Sequence, residues 1–487
     1  TGEPKSGYVL GGLVGGNASG DVSLNTVTIK ANNSGRVDIS NYVAGGVNQG
    51  IGDAGNNSVS ISSSDTSEVN IQKYVLGGLV DASGSGSVHR NTVDISGSGK
   101  IASYVAGGVN KGSGKAASSE NIVNISGFQS ANPKVYSIEI GAYVLGGSIE
   151  GGVAGETNKN KVSITNSHVT QYIAGGYNQG AGQVSASENE VYLEGVSLID
   201  PGVVDSRFVV GGLLSNSAGT GDANKNKVVL VESSFTGKYI AGGLSQGTGV
   251  VDGNEVTLVD AAVNGFVTGG LDWYGKNVTL THNTVSVTGG SVVGRVAGAR
   301  SFSGSDANFN SVYVQGAEIK AGGEYKGHVL GAANQSGGNA LNNYVQVRDS
   351  KVEGYVAGGF IEHFEGGFYS GSTNNNEVII ENSTVNGNIG GGYNQAGGTL
   401  SASDNTVVVK ILPTASEESF GAGGFIAGGI IGDKQKGAGF TNNNTVNIIN
   451  SSTENSFEIN SYVAGGYNGG VGEGGASGNT VLIDTPL

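Results

Sequence analysis

The sequence predicts an all-β fold, an elongated right-handed parallel β-solenoid (β-helix) of about 15 coils, and three observations carry that prediction. A glycine-dense phrase returns along the chain: YVAGGVNQG at 42–50, YVAGGVNKG at 104–112, YIAGGYNQG at 172–180 and YVAGGYNGG at 462–470. A second phrase, Asn-x-Val-x-Ile or a near variant, follows it in each repeat and alternates with period two, the spacing of a strand. Helical spacing is absent, and Gly, Asn and Ser punctuate the short β-branched runs as turns do.

Aligned on the opening phrase, the repeats begin at Tyr8, Tyr42, Tyr74, Tyr104, Tyr143, Tyr172, Phe208, Tyr239, Phe266, Arg295, His328, Tyr355, Asn388, Phe425 and Tyr462, spaced 27 to 39 residues apart. Residues 1–487 therefore read as one repeat domain. A third, shorter piece such as STVNGN from Ser383 closes each repeat, so that three short strands make one coil. Strands stacked about 4.8 Å apart turn fifteen coils into a rod on the order of 70 Å long. A propeller closes at four to eight blades, each of roughly 40 residues, and fits this count and length less well. The right hand follows the general rule for parallel crossovers.

Stacking explains the letters, because each residue lies above its equivalent in the next coil. The Asn that heads the second phrase recurs in every repeat: Asn25, Asn57, Asn91, Asn121, Asn160, Asn189, Asn226, Asn254, Asn283, Asn310, Asn343, Asn376, Asn405, Asn444 and Asn479. It shares a strand face with the following Val and Ile and is expected to point inward, donating to one neighbouring coil and accepting from the other. The first glycine of the pair is also present in all repeats, while the second is replaced only by Ala299 and Ala332; such a pair suits a tight turn or a close wall. The column before it holds nine Tyr and three Phe, rings placed to stack.

Composition narrows the function. The 90 Gly are interleaved with regularly placed Val, Ile and Leu, unlike a disordered tract, and only 5 Pro interrupt the ladders. A net charge of -15 with 13% charged residues offers no basic stripe, so nucleic acid is not an expected partner. Without cysteine there is no disulfide framework and no thiolate site. The lack of methionine, of a signal peptide and of any apolar run near the ~18 residues of a membrane span leads to the expectation of a trimmed mature fragment.

Tandem solenoid repeats with glycine pairs, Asn-headed strands such as NTVTI from Asn25 and NTVDI from Asn91, and no cysteine resemble the passenger domain of a type V secreted bacterial autotransporter. The resemblance covers all 487 residues and lies in repeat style. The glycine pairs are also similar to those of chlamydial polymorphic outer membrane proteins, whose F-x-x-N signature is not regular here. The autotransporter resemblance implies a monomeric rod at the cell surface or released from it, carried by a C-terminal outer-membrane barrel that this chain does not contain. Most such passengers are adhesins or self-associating surface proteins.

Catalytic motifs fail one by one. VNKGSGKA at 109–116 has Val109 and Ala116 where a P-loop requires Gly and a hydroxyl, and no GDSG or recurring GGxGxD is present. His89, His168, His282, His328 and His363 fall in unrelated columns, and no column repeats a carboxylate. The expectation is no catalytic residue, no metal and no cofactor. Departures from the repeat instead cluster after the glycine pair in three coils. Asp272, Trp273 and Tyr274 stand in the first, Arg300 and Phe302 in the second, and Glu362, His363, Phe364, Glu365, Phe368 and Tyr369 in the third. Loops at one phase emerge on one face within about 15 Å, a contact patch rich in the residues that dominate hot spots. The competing reading has these rings folding back over the solenoid wall. Small polar strand positions such as Thr26, Thr28, Ser58 and Ser60 form a solvated face able to pair sideways with another rod. The function expected is a bacterial cell-surface adhesin presenting loops to a host-surface protein, a glycan or a neighbouring cell. The alternatives are a polysaccharide-cleaving β-helix enzyme and a purely structural self-associating stalk.

Overall fold

The computed structural model describes residues 5–114, 116–128, 137–151, 154–199, 207–275, 277–322, 326–362, 369–413, 419–432, 438–453, 455–471 and 473–485. The chain divides into an N-terminal unit, Thr1–Gly249, and a C-terminal unit, Val250–Leu487. Each is a parallel β-solenoid, and the described residues contain no helix. Residues of equal phase pair from coil to coil. Val43, Val75, Val105, Val144, Ile173 and Val209 form one such line in the N-terminal unit. Val267, Val296, Val329, Val356, Ile389, Ile426 and Val463 form its counterpart in the C-terminal unit.

The Asn-headed strands alternate as their sequence does. In Thr92–Gly97 the side chains of Val93 and Ile95 are buried while Asp94 and Ser96 face solvent. The opening strands are buried along their full length, as in Val75–Val80 and Val356–Ile361. Their inner face packs on the core. Their outer face carries the ring column together with the residues two and five positions later, and in the C-terminal unit Leu330, Ala357, Phe360, Tyr393 and Ile430 pack there against Tyr355, Phe425 and Tyr467.

Two departures from three strands per coil appear. The variable loop after the glycine pair contains a short strand of its own in seven coils of the N-terminal unit, from Val22–Ser23 through Ala54–Gly55 and Val88–His89 to Gly219–Asp222, and these join in a seven-stranded sheet. The reason is local: Ala54 and Val88 turn inward onto Val80, which holds the loop backbone flat enough to pair with the next coil. Elsewhere the third piece runs straight into the opening phrase, giving the long strands Ser234–Ser245 and Ala262–Asp272.

The asparagine ladder is the most regular polar feature. Asn57 Nδ2 donates to Asn91 Oδ1 at 3.0 Å, Asn91 to Asn121 at 3.0 Å and Asn121 to Asn160 at 3.0 Å. In the C-terminal unit Asn254 donates to Asn283 at 2.8 Å and the sequence continues through Asn310, Asn343, Asn376, Asn405 and Asn444 to Asn479. Each Oδ1 also accepts the backbone N–H of the same donor residue, as Asn121 does from Asn91 at 3.1 Å. The second Nδ2 hydrogen reaches a carbonyl of the preceding coil, so Asn91 donates to Ala54 at 2.9 Å. An amide thus fully used is buried without an unmet group.

The residue just before each ladder asparagine has left-handed backbone, with φ from 52° at His282 to 65° at Gly478, and it is Leu24, Arg90, Glu120, Lys225 or Phe309 as readily as Gly253. One αL residue turns the chain sharply, and its N–H still reaches the next coil, as Arg90 does to Ser119 O at 3.2 Å. The glycine pairs answer a different demand. A Cβ on Gly107 would lie 2.6 Å from the Gly146 carbonyl oxygen and 2.8 Å from Asn121 Cβ. The opening strand therefore runs directly against the asparagine ladder.

Two substitutions test this account by urea unfolding. Asn121→Ala leaves both donors of Asn91 without their acceptor and is expected to destabilise by roughly 2–4 kcal/mol. Lys225→Gly removes an αL penalty of about 1–2 kcal/mol at an exposed corner, partly offset by backbone entropy, and is expected to raise stability by up to ~1 kcal/mol.

Candidate functional site

The ring column is continuous in the N-terminal unit. Tyr42, Tyr74, Tyr104, Tyr143, Tyr172 and Phe208 stack with centroids 4.6 to 4.9 Å apart. Burial pushes the Tyr74 and Tyr143 phenols up to about 12, so this ladder is neutral and structural. In the C-terminal unit the same column reads Phe266, Arg295, His328, Tyr355, and the chemistry changes.

Arg295 is 6% exposed, and both terminal guanidinium nitrogens donate to the Glu362 carboxylate, at 3.1 and 3.0 Å, from two coils away. Gln335 of the intervening coil donates to the same carboxylate at 3.1 Å. Burial alone would raise the Glu362 pKa, but the Arg295 charge and these hydrogen bonds prevail and lower it to about 2. His328 stacks on Tyr355 at 4.6 Å and its Nδ1 accepts the Tyr355 N–H at 2.7 Å. Burial, and then the nearby Arg295 charge, lower its pKa to about 3, so the imidazole is neutral.

Beside this pair lies an aromatic group. The Arg300 guanidinium sits 4.6 Å from the Phe266 ring centroid and 4.2 Å from that of Phe302. Trp273 meets Phe302 at 4.7 Å, and Tyr274 meets Phe302 at 5.5 Å. Tyr274 is 66% exposed and has φ +62°, an uncommon backbone state for a bulky residue. The loop is held from beneath. Asp272 is fully buried; Ser301 and Ser305 donate to its Oδ2 at 2.8 and 2.9 Å, Ser303 donates to the same oxygen, and the Gly275 N–H donates to Oδ1 at 2.7 Å.

The predicted patch is therefore partly assembled and partly redistributed. Trp273, Tyr274, Arg300 and Phe302 come together. Asp272 and Arg300 are buried and do not offer a contact surface; the first anchors the loop and the second fills the space between rings, because each finds its partners one coil away. Glu362 is engaged by Arg295 and Gln335. Tyr369 packs against the cluster of Ile361, Ala396, Leu400, Ala402 and Ile431. His363, Phe364, Glu365 and Phe368 lie outside the described residues. Arg295 and Gln335 were not singled out by sequence, although an arginine in a column otherwise held by rings was a visible signal. So was SFSGS at 301–305, one coil after an aspartate at a phase where other repeats have Asn, Ser or an aliphatic.

Comparison with protein-family models, with characterised proteins and with solved structures finds no match to this chain.

His328 makes stability pH-dependent. Its folded pKa lies below the ordinary value near 6.5, so the unfolded chain binds more protons and stability falls as pH drops from about 6.5 towards 3. Glu362 acts in the same direction in a lower window, from about 4.5 towards 2. His328→Phe keeps a ring in the column and is expected to abolish a slope of roughly 1.4 kcal/mol per pH unit between pH 6 and 4.5, read from urea midpoints across that range.

Proposed function

We propose that this chain is a bacterial cell-surface adhesin of the autotransporter passenger type, presenting the loops around Tyr274 to a host-surface protein or glycan. The observation that carries the reading is the combination at Tyr274. A large aromatic side chain is held in solvent on strained backbone, while the aspartate beneath it is tied by hydrogen bonds from four neighbouring residues. Left-handed backbone alone marks structural corners, as at Leu24 and Phe309; Tyr274 differs in lying outside those corners, on a loop whose aspartate is over-determined, as strained ligand clamps are. Rigid aromatic area costs little entropy on binding, which makes Tyr and Trp effective anchors. The regular coils serve as the support, and attachment to or release from an outer membrane belongs to the same reading.

A second reading, cleavage of a polysaccharide, draws on one feature. Glu318, Asp349 and Lys351 line a shallow depression of about 230 Å³ in the C-terminal unit. Glu318 is paired with Lys320, which lowers its pKa, and Asp349 is paired with Arg348 at 3.2 Å. A general acid needs a carboxyl raised towards neutrality, so the arrangement favours binding over turnover.

The test is adhesion of the purified chain to epithelial cells, compared with Tyr274→Asn, which tolerates left-handed backbone and lacks the ring. Saturable binding reduced at least tenfold by the variant is the expected result. Absence of binding by the intact chain sinks the adhesin reading, and release of new reducing ends from polysaccharide, lost in Glu318→Gln, would put the enzyme in its place.

A further inference from the structure

The residues on either side of a ladder asparagine stand at one corner of the coil. In four successive coils of the N-terminal unit the residue before it is Glu120, Lys159, Glu188 and Lys225, each exposed and each on left-handed backbone. Elsewhere the same corner holds Asn56, Asn342, Asn375 or Gly478, residues that take this backbone with less strain. The residue after the asparagine repeats the charges, with Lys161 in register with Glu190 and Glu190 with Lys227. The face is therefore banded across the strands: acidic, basic, acidic, basic.

Alternation already suits a single chain, because Lys161 Nζ lies 3.0 Å from Glu190 Oε2 and like charges one coil apart would repel. Both side chains of that pair are still more than half exposed, and an ammonium with three donors and a carboxylate with about four lone-pair sites can each take a further partner. A second observation points beyond the chain. Outward positions of this sheet are Thr26, Thr28, Ser58, Ser60, Thr92 and Asp94 in the first three coils, but include Ile122, Tyr192, Val229 and Val231 in the banded ones. Tyr192 is 37% exposed. Apolar area bordered by charge is the composition of an interface.

The banding is complementary to itself. A second copy turned about an axis along the strands, between the coil of Lys161 and that of Glu190, sets Lys159 and Lys161 opposite Glu188 and Glu190 of the second copy, and Glu120 opposite Lys225. Tyr192 then meets Ser163, and Glu194 meets Thr165. On the adjoining short strands the carboxylates Glu156 and Asp222 meet Ser185 and Ala117, so no like charges oppose among the described residues. A turn about the stacking axis would instead bring Glu190 against Glu194 of its own coil. Lys115 and Lys134 lie outside the described residues and are not among the contacts.

We propose that this banded face of the N-terminal unit is an interface between two copies of the chain, packed face to face with their stacking axes antiparallel. Sheets pack about 10 Å apart, a gap that Lys and Glu side chains span from the two sides. Four coils about 4.8 Å apart and about 20 Å of strand and corner give a footprint of roughly 400 Å² per copy. That is about half of a standard interface, so the pairing is weak and salt-sensitive. It does not depend on what the loops around Tyr274 bind.

Sedimentation of the intact chain at concentrations up to about 0.5 mM, in about 50 and about 500 mM sodium chloride, reads the association. A concentration-dependent dimer at low salt, weakened several-fold at high salt, is expected. Lys161→Glu and Glu190→Lys each place like charges opposite one another and are expected to weaken it about tenfold or more. An equimolar mixture of the two variants sets an all-acidic pair against an all-basic one, and is expected to associate again as a mixed dimer. Circular dichroism and urea midpoints check that both variants fold, and Lys159→Glu with Glu188→Lys repeats the exchange at the corner. A chain that stays monomeric at low salt, a dimer indifferent to the single exchanges, or a mixture that associates no better than either variant overturns the proposal.

Discussion

In-register stacking of identical backbone phases is the constraint on which everything else in this structure depends. Once Val105 lies between Val75 and Val144, every neighbouring residue of that coil is also placed over its own counterpart. A one-residue slip would turn each inward Val and Ile outward, so the hydrophobic pattern resists it. The asparagines resist it more sharply. An amide whose two hydrogens and oxygen are all used by adjacent coils has no alternative partner at another phase, and a buried amide left unmet costs on the order of 1–3 kcal/mol. Glycine pairs and left-handed corners follow from the same requirement. The opening strand approaches the asparagines too closely for a Cβ at Gly107, and the corner before each asparagine turns too sharply for an ordinary right-handed residue.

A ladder built this way accepts like on like, and the ring column shows what happens when the likeness is broken. Stacked tyrosines contribute about 0.5–1.5 kcal/mol per contact and need no partner outside the column. An arginine at that phase brings a buried charge that neighbouring rings do not neutralise. Arg295 is accommodated because Glu362 lies two coils along, within reach of a bidentate pair. The buried charges constrain the local structure more than they stabilise it relative to an apolar column, since both ions had to leave water. The change in chemistry coincides with the loops that rise around Trp273 and Phe302.

That coincidence bears on function. A solenoid wall is flat and repetitive, and recognition requires a place where it is neither. The C-terminal unit departs from that regularity by exchanging rings for charges in the column and by anchoring a loop on a buried aspartate, and the proposed function rests on this departure. On the proposed reading the anchoring matters as much as the exposed ring, because a ring next to a fixed aspartate has already lost part of the freedom that binding would otherwise remove. Ordinary β-sheet stacking supplies the rigidity, with Ser301, Ser303 and Ser305 reaching Asp272 from the following coil.

The sequence by itself determined the repeat, the strand period, the inward column of asparagines and the column of rings, because each is a one-dimensional pattern that stacking carries directly into space. It also pointed to the aromatic loops, which are departures from that pattern. The left-handed corners were not legible, since Leu24, Arg90 and Phe309 are residues that rarely adopt such backbone alone; the ladder hydrogen bonds on either side impose it. Nor was the division of labour among Asp272, Arg300, Glu362 and Tyr274. All four are polar or amphipathic letters in variable loops, and their settings depend on partners in other coils, such as Ser301, 29 residues from Asp272, and Arg295, 67 residues from Glu362. Only the tertiary structure brings those partners within hydrogen-bonding distance, and so only it decides which of the four is buried and which faces solvent.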